Sequence, residues 1–253
     1  LPTWTRDALS ASTHPLFGRC WRVVEGQHVV STMKLVDTLA EQALLEELIE
    51  RSKPPVPSEC RHLHYLLSTP FRYGSLYPVG SRFRRAGQTS GVFYASLTPA
   101  TALCEMAFHR LLFFAESPGT PWPVNAAEHT AFSVRFRVAT GLDLTQAPFD
   151  EHAPRWMHPA DYSSTQELAD AARAADVLAL RYWSTRDPDR GCNVALFTCA
   201  AFRSREPLEQ QTWRLHLGPA GVRAIGNTQK QRLGFDRTAF SADPRIAKMR
   251  WNR

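Results

Sequence analysis

At 253 residues and 43% apolar side chains the chain can bury a large core, and no run of about 18 apolar residues offers a membrane span. Of its 30 basic residues only Lys34, Lys53, Lys230 and Lys248 are lysines, and the net charge is +6. Arginine's planar fork suits phosphates and carboxylates, so an anionic ligand or acidic partner is expected, although positive charge alone does not identify a nucleic acid.

Residues 1–64 read as an N-terminal extension packed on the same domain as the rest. Within it, Cys20-Trp21-Arg22-Val23-Val24 is strand-like. Residues 36–51 form an amphipathic helix, with Val36, Leu39, Ala43, Leu44 and Leu48 at helical spacing and Glu41, Glu46, Glu47 and Glu50 outside. Three prolines between Lys53 and Pro57 end it. A short helix or turn near 62–67 leads to Phe71-Arg72-Tyr73, and residues 74–91 read as a glycine- and arginine-rich ordered loop.

Residues 91–109 read as a strand running into a helix. Val92, Tyr94 and Ser96 share one strand face, Phe93, Ala95 and Leu97 the other. Thr98 is an N-cap, and Pro99 takes a first-turn position where its missing N–H costs nothing. The helix is apolar nearly all round (Ala102, Leu103, Met106, Ala107, Phe108, Leu111, Leu112, Phe113) and is therefore expected to be buried, yet it carries Glu105. A buried carboxylate is paired, protonated or used. Further on come a strand at 131–138, a helix at 163–175, and strands at 177–182, 193–199 and 212–217. Strands dominate the second half, which argues for α+β rather than an alternating βαβ enzyme. No Gly-x-Gly-x-x-Gly or P-loop supports a Rossmann or kinase reading.

Cys20, Cys60, Cys104, Cys192 and Cys199 are scattered without metal spacing, so reduced thiols, a cytoplasmic setting and no metal are expected. The N-terminus also lacks a charged-then-apolar signal pattern.

Taken in order, Arg72-Tyr73, Gly80-Ser81-Arg82-Phe83-Arg84, Tyr94, Glu105 and Tyr162-Ser163-Ser164-Thr165-Gln166 resemble the RES domain, over roughly residues 65–200. Arg72 takes the family's first arginine and Tyr73 the aromatic after it. The loop where the family usually has Gly-Gly-Arg-Trp-Asn lacks the Trp-Asn pair here, so Arg82 and Arg84 both remain for the second arginine, Arg82 by its local pattern. Ser163 takes the family serine, with Ser164 beside it.

The resemblance implies an α+β fold like that of ADP-ribosyltransferase toxins, a mixed β core with flanking helices, over residues 65–253. It further implies a toxin of a toxin–antitoxin pair, an Xre-type antitoxin as partner, and NAD as substrate, consumed by hydrolysis or phosphorolysis or by transfer of ADP-ribose to a protein. Glu105, Arg72 and Ser163 are then the catalytic candidates, and Arg72, Tyr73, Arg82, Arg84, Tyr94 and Ser163 the NAD-binding ones. The chemistry is consistent: a carboxylate stabilises the oxocarbenium-like ribose, arginines hold pyrophosphate, and an aromatic wall suits nicotinamide.

Structural alternatives accompany several of these residues. Ser163-x-x-Gln166 and Ser164-x-x-Glu167 both spell capping boxes. Tyr94 also suits a core, and His109, one turn beyond Glu105, suits a satisfied core histidine. A basic nucleic-acid module is the reading of another class, motivated by the arginines with Trp21, Trp183 and Trp213, but no binding motif supports it and direct nucleic-acid contact is not expected.

Overall fold

The computed structural model describes residues 4–26, 32, 35–73, 80–87, 91–227 and 231–252. Residues 74–79 and 88–90 of the expected 74–91 loop, with Lys34 and Lys230, lie outside the described residues.

The chain builds an α+β fold on one sheet of eight strands: β1 (His14–Glu25), β2 (Phe93–Ser96), β3 (Ala127–Asp143), β4 (Ala179–Trp183), β5 (Cys192–Leu196), β6 (Glu209–Gly218), β7 (Gly221–Gly226) and β8 (Arg232–Asp236). Their order is β1-β2-β5-β4-β3-β6-β7-β8, and β1 also pairs with β3. Five strands therefore close into a ring, from which β6, β7 and β8 extend. The ring closes through one residue pair, Trp21 opposite Ser96. All pairings are antiparallel except β3 with β4, which agrees with the α+β expectation.

Seven helices flank this sheet among the described residues: α1 (Arg6–Ala11), α2 (Leu39–Ser52), α3 (Tyr65–Arg72), α4 (Pro99–Glu116), α5 (Ala153–Trp156), α6 (Ser163–Ala174) and α7 (Pro244–Ala247). None is long and apolar enough to cross a membrane. The period-2 alternation of β2 sorts its side chains as its sequence indicates. Phe93 and Ala95 join a core with Phe132, Val194, Leu196 and the buried face of α3. Val92 and Tyr94 face a second core beneath α6 with Leu180, Tyr182 and Ala195. A third core packs α4 against Trp21, Val23, Trp213, Leu215 and the C-terminal Phe240 and Ile246. A fully buried phenylalanine such as Phe93 or Phe132 contributes about 1.5–3 kcal/mol.

Thr98 caps α4, its side chain accepting from the Thr101 amide, with Pro99 in the first turn as expected. Leu103, Ala107, Phe108 and Leu111 are buried, while Phe113 turns outward. Two glycines set the approach to this unit. Gly80 adopts φ +70°, and a Cβ there would lie 2.2 Å from the Arg84 carbonyl oxygen. Gly91 lets β2 enter against the end of α3, where a Cβ would sit 2.3 Å from the Phe71 Cα.

Three expectations change. Helix α2 starts at Leu39 behind a Thr38–Glu41 capping box, and its apolar row is turned out: Leu39, Leu44 and Leu48 are exposed while Gln42 is buried. The Gln42 amide donates to Thr32 and Glu46, and the inward side is mixed, with half-buried Leu45 and Ile49 beside Gln42 and Glu46. Secondly, α3 continues through Pro70 to Arg72 rather than stopping near 67. Thirdly, neither serine at the start of α6 makes a capping box; Tyr162 is its N-cap without a side-chain bond. Gln166 is instead buried and donates to the carbonyls of Ser81 and Arg84, tying α6 to the 80–84 turn.

Candidate active site around Glu105

Glu105 projects from the second turn of α4 toward the sheet face that carries Tyr94 and Ser96. Its Oε1 accepts from Ser184 Oγ at 2.6 Å and from Asn193 Nδ2 at 2.6 Å. Asn193 is buried in the middle of the ring, and its Oδ1 accepts from Ser96 Oγ at 2.7 Å, which fixes the amide orientation. Ser184 Oγ accepts from the amides of Arg186 and Asp187 at 3.1 and 3.0 Å. Its acceptor capacity is thus used and its proton is committed to Glu105. Among the described residues no donor reaches Oε2 and no cation lies within salt-bridge distance of the carboxylate. Glu105 is half-buried, held by neutral donors, with one oxygen available.

The three residues after β4 work as a hub. Ser184 holds Glu105; Thr185 Oγ1 accepts from Arg82 at 2.9 Å; Arg186 reaches Tyr162 Oη at 3.3 Å. Arg82 also donates to the carbonyls of Trp156 and His158, at 2.6 and 3.2 Å, and lies 4.8 Å over the Tyr162 ring. Arg186 is buried, stacks on Phe108 at 3.6 Å, donates to the Pro159 carbonyl and pairs with Asp243 at 3.1 Å. Asp243 in turn takes Arg245 at 2.8 Å, so the C-terminal segment anchors the hub. Tyr182 on β4 shares this neighbourhood: burial raises its pKa well above the usual range, with Glu105 and Tyr94 adding to the rise and Arg82 opposing it.

His109 stands one helical turn beyond Glu105. Crowding by surrounding protein lowers its pKa, with Glu105 opposing, yet the ring remains exposed to solvent. His109 is thus an exposed residue rather than a sealed core histidine.

The other expected residues separate into three groups. Arg82 and Tyr94 join the Glu105 neighbourhood, Tyr94 as a support: its hydroxyl accepts from the Phe83 amide at 3.0 Å and bonds Ser81 at 2.9 Å, pinning the turn that carries Arg82. Burial raises its pKa, which keeps it a neutral phenol. Arg84 donates to the Tyr73 carbonyl at 2.7 Å, so Arg84 and Tyr73 join the turn to α3.

Arg72 is not brought to Glu105 by any hydrogen bond or ion pair among the described residues. Its guanidinium pairs with Glu50 of α2 at 2.7 Å, donates to the Pro54 carbonyl and lies 6.0 Å from the Tyr73 ring. That bond from Arg72, followed by one from Lys53, lowers the Glu50 pKa. Ser163 is exposed and turned to Asp161, to which its hydroxyl donates at 2.7 Å. Ser164, half-buried beside it, makes no comparable hydrogen bond among the described residues.

Ser184, Thr185, Arg186 and Asn193 were absent from the expected set. Their signals were modest: three polar residues at the end of an apolar strand, and one asparagine inside Cys192-Asn193-Val194-Ala195-Leu196. A carboxylate oriented on one oxygen and open on the other, with fixed guanidinium groups nearby, suits stabilisation of a developing cation next to an anionic group. Among the described residues no three His, Cys, Asp or Glu side chains gather in a metal-holding group.

The family model described as RES domain matches residues 56–218, which include every residue of the Glu105 network except Asp243 and Arg245. No curated protein matches the chain. Among solved structures, the chain is similar to one in the crystal structure of the M. tuberculosis MbcT-MbcA toxin-antitoxin complex, at 11% identity and a TM-score of 0.47, covering 94% of this chain and 95% of that one.

Proposed function

Since the chain belongs to the RES-domain family, we propose that it is the toxin of a toxin–antitoxin pair and cleaves the nicotinamide–ribose bond of NAD, with Glu105 beneath the reacting sugar. The observation that carries this reading is the one-sided hydrogen bonding of Glu105. Ser184 and Asn193 fix its plane, and the free Oε2 is available to a ribose hydroxyl and to the positive charge that develops on the sugar.

The C–N bond breaks with its electron pair leaving on nicotinamide. The pyridinium becomes neutral, so no acid is required. Water or phosphate then adds to the ribose carbon, and the proton it loses passes to solvent.

In this reading Arg82 supplies charge for the pyrophosphate, held in place by Trp156, His158 and Thr185. Ser164, whose hydroxyl makes no hydrogen bond among the described residues, takes the serine role in preference to Ser163. Tyr94, Arg84 and Tyr73 position the 80–84 turn, and Arg72 braces α2 against α3. The catalytic unit includes β1, although β1 precedes residue 65, because β1 closes the ring that holds Ser96 opposite Trp21. An Xre-type antitoxin is the proposed partner, silencing the toxin by covering Glu105.

The test is nicotinamide release from NAD by the purified protein and by Glu105→Gln, with and without phosphate. Release by the wild type, reduced at least about 100-fold in the variant, is expected; stimulation by phosphate names the acceptor. A folded wild type that releases no nicotinamide, even with cell extract supplying protein acceptors, overturns the reading.

A further inference from the structure

The outer face of the β1–β3 ribbon changes character along its length. Phe17 lies opposite Arg137, Arg19 opposite Arg135, Trp21 opposite Ser133 and Val23 opposite Ala131. By strand alternation these eight side chains share one face. Trp21, Val23 and Ala131 are buried in the core beneath α4. At the other end the cover stops: Phe17 is 72% exposed, and Arg19, Arg135 and Arg137 are exposed beside it. With Arg203 and the paired residues Gly18 and Phe136 they line a groove of about 500 Å³.

We infer that this groove docks an acidic segment of a partner protein, its carboxylates on the arginines and an apolar side chain on Phe17. Arg19 is already neutralised by Glu209 and bonds Ser133 Oγ at 3.0 Å. Among the described residues Arg135, Arg137 and Arg203 have no carboxylate within salt-bridge distance, so one groove holds three uncompensated guanidinium groups. Like charges so gathered raise one another's electrostatic energy, which an anionic occupant relieves.

Two features choose a protein over a nucleic acid. The Arg19–Glu209 pair shows that a carboxylate seats on this surface, and Glu209 at the rim interrupts any continuous track for phosphates. Aromatic surface rimmed by arginines is also the composition of protein interfaces, where buried aromatic and arginine anchors supply most of the affinity. The groove is separate from the Glu105 network: Phe17 lies four residues along β1 from Trp21, the partner of Ser96, or roughly 13 Å. An occupant therefore does not need to cover the catalytic carboxylate, and this inference does not depend on the NAD reading.

Fluorescence anisotropy tests it, using a short labelled peptide of alternating glutamate and leucine, its glutamine counterpart, and an oligothymidine of similar length. The wild type is expected to bind the glutamate peptide saturably and the glutamine peptide not at all. The Arg135→Glu/Arg137→Glu double variant is expected to bind it at least about tenfold more weakly, with Phe17→Ala also weakened. Both variants carry their substitutions at exposed positions, and the melting temperature verifies that each is folded. Nicotinamide release, measured on the same samples, is expected to be unchanged between wild type and double variant; a wild type inactive on NAD that still binds the peptide leaves the groove assignment standing. Absence of saturable binding, equal binding by the double variant, or tighter arginine-dependent binding of oligothymidine overturns it.

Discussion

Glu105 shows how much the acceptor geometry of one residue decides. Two neutral donors on a single oxygen hold the carboxylate in position without cancelling its charge, whereas an arginine partner would have spent that charge on structure. Removing either donor loosens the plane. Ser184→Ala is expected to lower kcat for nicotinamide release about tenfold, a loss of one hydrogen bond to a charged group. Asn193→Asp has a sharper signature. A second carboxylate 2.6 Å from Oε1 disfavours the ionised form of Glu105, so the acid limb of the pH–rate profile is expected to move to higher pH. A profile coincident with that of the wild type would separate Asn193 from the proposed role of Glu105.

At the scale of elements, the strand–helix unit β2–α4 is locally encoded. Thr98 and Pro99 start the helix, and the alternation of β2 directs Tyr94 and Ser96 toward Glu105. The entry to the unit depends on a contact distant in sequence. Gly91 meets the backbone of Pro70 and Phe71, with a would-be Cβ 2.4 Å from the Pro70 carbonyl oxygen. Neither atom is the end of a flexible side chain, so the backbone itself must shift. Gly91→Ala is expected to destabilise the protein by about 2 kcal/mol or more in urea unfolding, with the m-value unchanged.

At the scale of the whole molecule, the C-terminal segment beyond the family match is part of the site's frame. Burial alone would raise the pKa of Asp243, but the Arg245 side chain and amide and the Arg186 guanidinium outweigh it, and the carboxyl is held below its usual value. A depressed carboxyl contributes stability above its unfolded pKa of about 3.9, and that contribution is lost as pH falls through the lower folded value. Asp243→Asn leaves Arg186 without its charge partner in a buried position. The expected cost at neutral pH is about 3–5 kcal/mol, with a melting temperature that falls less steeply than the wild type's below pH 4. Equal steepness in the two proteins would remove Asp243 from the acid response.

What the sequence by itself determined is what neighbouring residues encode. The α+β class, the caps and alternation of β2–α4, and the choice of Glu105 all follow from side chains within about a helical turn or a strand length of one another. The RES resemblance added Arg82 and Tyr94, which lie in the Glu105 neighbourhood. Tertiary structure alone decided the partners of Glu105. Ser184 and Asn193 lie 79 and 88 residues away and reach it because the strands of the ring bring their ends together. It also decided that Arg72 braces Glu50 and that α2 turns Leu39, Leu44 and Leu48 outward. Both depend on where a guanidinium or an amide finds its acceptor, and that is set by packing between elements rather than by periodicity within one.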